Sequence, residues 1–527
     1  MPLISRRKLA ALSRDPGFLV KFCIAIVAAA LVISAALPVV FSKVARDSEF
    51  VELAKTDLES FAAYIRNPGH FLMGMPADDF RDVEFFRSET EPQSAIYAET
   101  QKEIESTLVD EGDRRLALLL LDSIHCTDSR RTEAIDALLA IPETTRYRSE
   151  FLGDALLANG DPDRGIPFYR KEGEQFKQAV YSRRSTVIAL TERKEIESLR
   201  EVLNQPDFVR AVTPLQAIRA AGVGGDQKQL FFSLVRFETS LLKSPHFFTA
   251  LFTALIWFVI LTIMGKLTKP QLVWGIAAFA LGMVSATLTL YVVHIQEDIL
   301  NIEFHPQDTL ANQLIALIAG IGLREEFLKL ICFLPVAIGI AKFRSPVLAL
   351  VAAALTGLGF AMMENLQYFA TSFDEFVAWT RLLSANALHF CLTGIVGLSL
   401  YQLIRNKGRG WENFLVDFLL VVVAHGLYDG FIMIPMFAEY GVITLVILAL
   451  IAYRYLDLVR EYMPTDGQLQ RISPLGVFVV GSAVLACGIM VITALSQSFL
   501  QSTGAFANAI GGSIPIAFAF ISRLRDL

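Results

Sequence analysis

From Pro245 to the C-terminus, long apolar runs alternate with short polar breaks. About 20 apolar residues suffice for a helix to cross the roughly 30 Å hydrocarbon layer of a bilayer. The pattern therefore predicts spans near 246–265, 271–294, 309–341, 346–370, 377–404, 411–435, 440–456, 474–496 and 503–521. Gly511, Gly512 and Pro515 interrupt the last of these. Another apolar run, from about Gly17 to Phe41, follows Arg6, Arg7, Lys8 and Arg14, with no A-x-A cleavage site after it. It reads as an uncleaved signal anchor over 1–41, the first of about ten spans.

The stretch 42–243 is different in kind. It is charged, broken by turn residues, and has no run long enough to span. Helical periodicity recurs at Arg115 to Leu121, Thr132 to Ile141 and Ser185 to Leu203. Gly153, Leu156, Gly165, Tyr169 and Glu172 space small and large residues as a tetratricopeptide-type helix pair does, with Asn159-Gly160-Asp161 as its turn. The fold class expected is all-α: a polytopic membrane bundle over 244–527 with an extracytoplasmic helical domain over 42–243.

Composition agrees with that class. The chain is 54% hydrophobic and 19% charged, which leaves too little charge to cover a soluble protein of this length. Its net charge of −6 offers no basic domain for nucleic acid. The five cysteines, at 23, 126, 332, 391 and 487, form no CxxC pair and indicate no disulfide framework. Basic loops alternate with acidic or neutral ones: Lys266 and Lys269, Lys342 and Arg344, Arg405 to Arg409, Arg454 to Arg471, and Arg523 with Arg525 share one side. Glu297 to Asp308, Thr371 to Glu375 and Ala438 to Gly441 fall on the other. By the positive-inside rule both termini are cytoplasmic and 42–243 is outside.

Ionisable groups within spans cost roughly 2.5–3.5 kcal/mol each, so they persist when paired or functional. Four consecutive spans carry them: Arg324, Glu325, Glu326 and Lys329; then Glu364 with Asn365; then His389; then His425 and Asp429. Glu325 and Glu326 lie about 100° apart on a helix, so only one can face a shared centre squarely. Glu325 with Lys329, and His425 with Asp429, have the i, i+4 spacing that brings side chains together. The second spacing would let a carboxylate orient an imidazole. Gly320, Gly322, Gly357 and Gly359 would allow close helix approach. Glu364 lies about 9 Å from the middle of its span, which argues against direct participation. Arg381 and Asp417, near span ends, read as interface residues. His70, His125, His246, His294 and His305 carry no signal.

Water activation is the chemistry such a cluster offers. A desolvated Glu can act as a base, with two histidines and an Asn supporting an oxyanion. Two His and a Glu are equally a sufficient ligand set for zinc with an open position, through His389, His425 and Glu325 or Glu326. Both arrangements hydrolyse amides. A reading of a different class is a proton-coupled transporter or channel that uses Glu325, Glu364, His389 and Asp429 as a relay. The last two spans hold no second copy of the cluster, which disfavours the two-repeat architecture of transporters.

Glu325-Glu326-Phe-Leu-Lys329, Phe360-Ala-Met-Met-Glu364-Asn365-Leu-Gln-Tyr368, His389, and His425-Gly-Leu-Tyr-Asp429 together resemble the PrsW family of bacterial intramembrane proteases, part of the wider CAAX-type and bacteriocin-processing group. The resemblance covers about 310–435. It implies a peptidase in the bacterial inner membrane acting on membrane-anchored proteins, an anti-sigma factor in PrsW itself. By position, Glu325 would be the general base and Glu326 its support. His389 would orient the water, His425 would stabilise the oxyanion, and Glu364 and Asn365 would support the pocket. Relatives tend to have Asn where Asp429 stands, so Asp429 is expected to orient His425. No metal is favoured. The outer domain, outside the resemblance, is expected to recruit substrate ectodomains, since helical-repeat grooves bind peptides.

Overall fold

The computed structural model describes residues 6–46, 56–66, 93–126, 128–299, 308–371, 376–463, 472–496 and 499–525. His70, His305 and most of the two acidic loops, Glu297 to Asp308 and Thr371 to Glu375, fall outside them. No strand occurs among the described residues. The chain divides into two compact units, 43–233 and 1–42 with 234–527.

In the first unit, helices Glu111–His125 and Asp128–Ala140 cover two of the expected periodic stretches. The third is two helices, Val180–Glu192 and Ile196–Leu203, because Lys194 between them takes a φ of 53°. Helices Arg148–Ala158 and Pro162–Gln175 form the anticipated pair, turned at Gly160 in the left-handed region and capped by Asp161, whose Oδ1 accepts from Arg164 N at 3.2 Å. A Cβ on Gly153 would stand 2.7 Å from the Tyr169 ring, so the small–large spacing is what lets these helices cross.

Arg66 staples an earlier helix, Leu58–Arg66, to this pair. Its guanidinium bonds Glu150 and Asp154, each at 2.7 Å, and lies 3.5 Å over the Tyr181 ring. Such buried charge fixes partners more than it adds net stability. Glu172 accepts the Tyr147 N–H at 2.6 Å, at the start of helix Arg148–Ala158, and burial pushes its carboxyl up to about 7.

The second unit holds the membrane helices: α1 (Pro16–Arg46), α2 (His246–Met264), α3 (Lys269–His294), α4 (Leu323–Ile340), α5 (Pro346–Thr371), α6 (Ala385–Arg405, preceded by a short helix, Val377–Leu383), α7 (Trp411–Met433), α8 (Val442–Tyr462), α9 (Pro474–Ser496) and α10 (Phe499–Arg525). Among the described residues, nine helices are long and apolar enough to cross a membrane. The tenth expected span, 309–341, differs. It is built from Leu310–Ile315, a π-helical segment Ala316–Gly322, and α4. The four charges at Arg324, Glu325, Glu326 and Lys329 lower its apolarity, and the π turn breaks its continuity. π segments of this kind concentrate at functional sites.

At the centre is α5, with 94% of its apolar window buried. Its glycines set how near the neighbours come. A Cβ on Gly357 would lie 2.3 Å from the His389 carbonyl oxygen on α6, and one on Gly359 would lie 2.0 Å from that of Phe279 on α3. The π segment meets α7 the same way, Gly322 against Val422 O and Gly426 against Ile318 Cα. Gly320, expected to act likewise, faces open space. Trp257 on α2 donates to Leu382 O at 2.8 Å and packs on Phe390, Phe478 and Phe520, tying α6, α9 and α10 to one aromatic core.

Candidate active site

Lys329 organises the cluster. Three and four residues after the two glutamates, it reaches both: Nζ is 2.7 Å from Glu326 Oε1 and 3.3 Å from Glu325 Oε2. Its third bond crosses to α6, where His389 Nδ1 is 2.8 Å away. An ammonium has three donors and no acceptor, so all three are used and His389 Nδ1 must accept. The His389 proton then sits on Nε2, 2.9 Å from Glu364 Oε2 on α5. This tautomer follows from the hydrogen-bond network. The Phe360 ring packs against the Lys329 ammonium, its centroid 3.9 Å from Nζ.

His425 is fixed from its other side. Nδ1 lies 2.8 Å from Glu326 Oε1, and an ionised carboxylate can only accept, so Nδ1 carries the proton. Nε2 faces Glu325 Oε2 at 3.6 Å and Asp429 Oδ2 at 3.5 Å, both beyond good hydrogen-bond length. The sequence spacing made Asp429 the orienter of this imidazole; in the structure Glu326 makes the shorter bond, and Asp429 borders the open nitrogen.

Glu325 and Glu326 are therefore not equivalent. Glu326 is fully buried, accepting from Lys329 and His425 on one oxygen and from Thr393 on the other at 3.3 Å. Glu325 keeps 8% exposure, and its shortest bond is the long one to Lys329. Both nonetheless reach Lys329 and the His425 ring, so the 100° between them does not turn either one away from the shared centre.

Glu364 enters the network despite its distance from mid-span. Besides His389, it accepts from Arg381 Nη2 at 2.7 Å. Arg381 Nε also bonds Asn365 Oδ1, and the guanidinium lies 3.9 Å over Tyr368. Asn365 donates in turn to Asn386 Oδ1 at 2.7 Å. Depth alone made Arg381 an interface residue. The backbone break at Ser384 (φ −105°, ψ −78°) ends the short helix that carries it, and its long side chain reaches the cluster. An arginine in an apolar run needs a carboxylate partner, and that signal could have found it. Thr393 and Asn386 were also missed; single neutral side chains in an apolar helix carry no sequence signal. Asp417 instead accepts a hydrogen bond from Ser399, between α7 and α6.

Both His389 ring nitrogens have protein partners, Nδ1 in Lys329 and Nε2 in Glu364. As donors, Glu325, His389 and His425 fit a metal. Two imidazoles and a carboxylate are a usual zinc set, and their ligand atoms lie within 4.8 Å of one another. Occupation through His389 would exchange its bond to Lys329 or to Glu364.

Residues 270–454 match the family profile described as PrsW family intramembrane metalloprotease. This region belongs to the PrsW family. The PrsW-like motifs from Glu325 to Asp429 all fall inside it. Among curated proteins the chain is similar to Protease PrsW of Clostridioides difficile (strain 630), 26% identical over 148 residues, or 27% of this chain. That stretch spans 61% of the relative's length. No solved structure matches the chain. With its apolar helices, the PrsW region makes the chain a multi-pass membrane protein.

Proposed function

We propose that the chain is an intramembrane endopeptidase that hydrolyses peptide bonds of membrane-anchored proteins with water activated at Glu325. The asymmetry of the two neighbouring carboxylates carries this reading. Glu326 has both oxygens engaged and no exposure, while Glu325 keeps 8% exposure and a single long hydrogen bond, beside Nε2 of His425. A general base needs room for the water it deprotonates.

In this mechanism Glu325 takes a proton from water as the water oxygen attacks the scissile carbonyl carbon. The carbonyl π electrons move onto oxygen, and His425, carrying a second proton on Nε2 beside the carboxylates of Glu325 and Asp429, donates from it to that oxyanion. As the tetrahedral intermediate collapses, the C–N bond breaks and the proton held by Glu325 passes to the leaving nitrogen. Glu326 holds His425 by Nδ1 and Lys329 by its ammonium. Glu364 and Arg381 hold His389, and through it Lys329, in register. Glu325, His389 and His425 are the residues that would hold a zinc ion, which when bound would acidify a water. Lys329 supplies fixed positive charge amid the same donors, which favours the glutamate mechanism.

The relative is called a protease, and the stretch that matches the family profile, 270–454, carries the whole cluster. The unit 43–233 would lie outside the cytoplasm, as a helical-repeat surface that selects substrate ectodomains. An anti-sigma factor as substrate rests on the family resemblance alone.

The test compares membrane proteomes of cells carrying the natural chain, Glu325→Gln or Glu326→Gln at matched protein levels. Accumulation of uncut membrane proteins with Glu325→Gln supports the reading. Proteomes identical to those of the natural chain would sink it.

A further inference from the structure

A second site lies between α8 and α10, away from the polar cluster. There a cleft of about 210 Å³ is lined by Leu448, Ala452 and Leu456 on one helix and by Ile516 and Phe518 on the other. Phe518 and Leu450 beside it are 68% and 66% exposed, as side chains facing lipid tails would be. The mouth of the cleft is polar. Arg523 lies 3.5 Å over the Tyr453 ring and 4.0 Å from Asp457, and it forms no hydrogen bond among the described residues. Its five N–H donors are thus held flat over an aromatic ring without an acceptor.

We infer that this cleft is a binding site for an anionic phospholipid, with an acyl chain along the apolar groove and the headgroup phosphate on Arg523. Three observations converge. The groove opens sideways on an apolar surface, where the available apolar molecule is a lipid tail. The guanidinium at its end has the planar fork that suits phosphate. In the sequence of these two helix ends, Arg454, Arg460, Arg523 and Arg525 outnumber Asp457, Glu461 and Asp526. Basic pockets between transmembrane helices recognise anionic headgroups in this way. The Asp457 pair at 4.0 Å is too long to hold the guanidinium against a phosphate oxygen at hydrogen-bond length.

The test is native mass spectrometry of the full chain in neutral detergent, titrated with phosphatidylglycerol or phosphatidylcholine of the same acyl chains. The natural chain should retain phosphatidylglycerol about fivefold better, the worth of one basic side chain at a headgroup. Arg523→Gln should abolish that preference and Arg523→Lys should keep most of it. Ala449 also lines the groove, so Ala449→Trp, which fills it, should reduce retention of both lipids. Equal retention of the two lipids by the natural chain would overturn the site. So would a preference that survives Arg523→Gln, a dimer that forms at the cleft without lipid, or displacement by inorganic phosphate with Ala449→Trp lacking effect.

Discussion

Lys329 Nζ lies 2.8 Å from His389 Nδ1, so a cation occupies one of the two ring nitrogens through which that histidine could hold a metal. The same ammonium pairs with both Glu325 and Glu326. Lys329→Met should cost about 3–5 kcal/mol, because it leaves buried carboxylates uncompensated. Added zinc should then raise the unfolding temperature of Lys329→Met more than that of the natural chain, since a metal gains the donors the ammonium gives up. Equal shifts in the two proteins would show that lysine and metal do not compete.

Gly357 and Gly320 look alike in the sequence, and the structure separates them. Gly357→Ala would press a methyl into the His389 carbonyl and should cost about 1–3 kcal/mol through displacement of α6. Gly320→Ala meets nothing within 4 Å and should change stability by no more than about 1 kcal/mol. Denaturation of both variants in detergent tests the contrast, and similar midpoints would contradict it.

Arg381→Ala removes a donor from Glu364 and from Asn365. It should cost about 1–3 kcal/mol in stability, the cost of buried acceptors left unmet. Proteolysis should fall as well, since His389 loses its anchor. Arg381→Lys should recover part of the activity by restoring the charge without the two-point geometry. Activity in Arg381→Ala equal to that of the natural chain would remove this residue from the site.

Glu172 binds its proton more tightly in the fold than in the unfolded chain, at about 7 against an ordinary 4.5. The stability it contributes is complete below about 4.5 and is lost as the pH rises through 7. Amide exchange in helix Arg148–Ala158, corrected for intrinsic rates, should show protection declining over that window. Glu172→Gln keeps an acceptor for the Tyr147 N–H and never ionises, so its protection should stay flat. A decline of the same size in both would place the titration elsewhere.

Much of this protein was legible in one dimension. Apolar runs of bilayer length predict the spans, because no other short pattern satisfies the backbone inside lipid. Charged side chains stand out within those runs because their insertion is costly. That cost alone picked out Arg324, Glu325, Glu326, Lys329, Glu364, His389, His425 and Asp429, of which Arg324 turns to Gln296. Arg381 escaped because depth was counted along a straight helix, whereas the chain breaks at Ser384. Thr393 and Asn386 escaped because a neutral side chain in a helix has no cost large enough to mark it.

The sequence by itself determined the class, the helices and which residues are expensive to bury, because these depend on local composition and on the solvent each segment meets. Tertiary structure decided who pairs with whom. Glu326 rather than Asp429 holds His425 closest, Glu364 joins His389 across helices, and Gly357 but not Gly320 carries a close contact. Those outcomes depend on distances of a few tenths of an ångström between helices distant in sequence. Helical periodicity sets the direction a side chain takes from its own axis, but not the separation or rotation of the helix it meets.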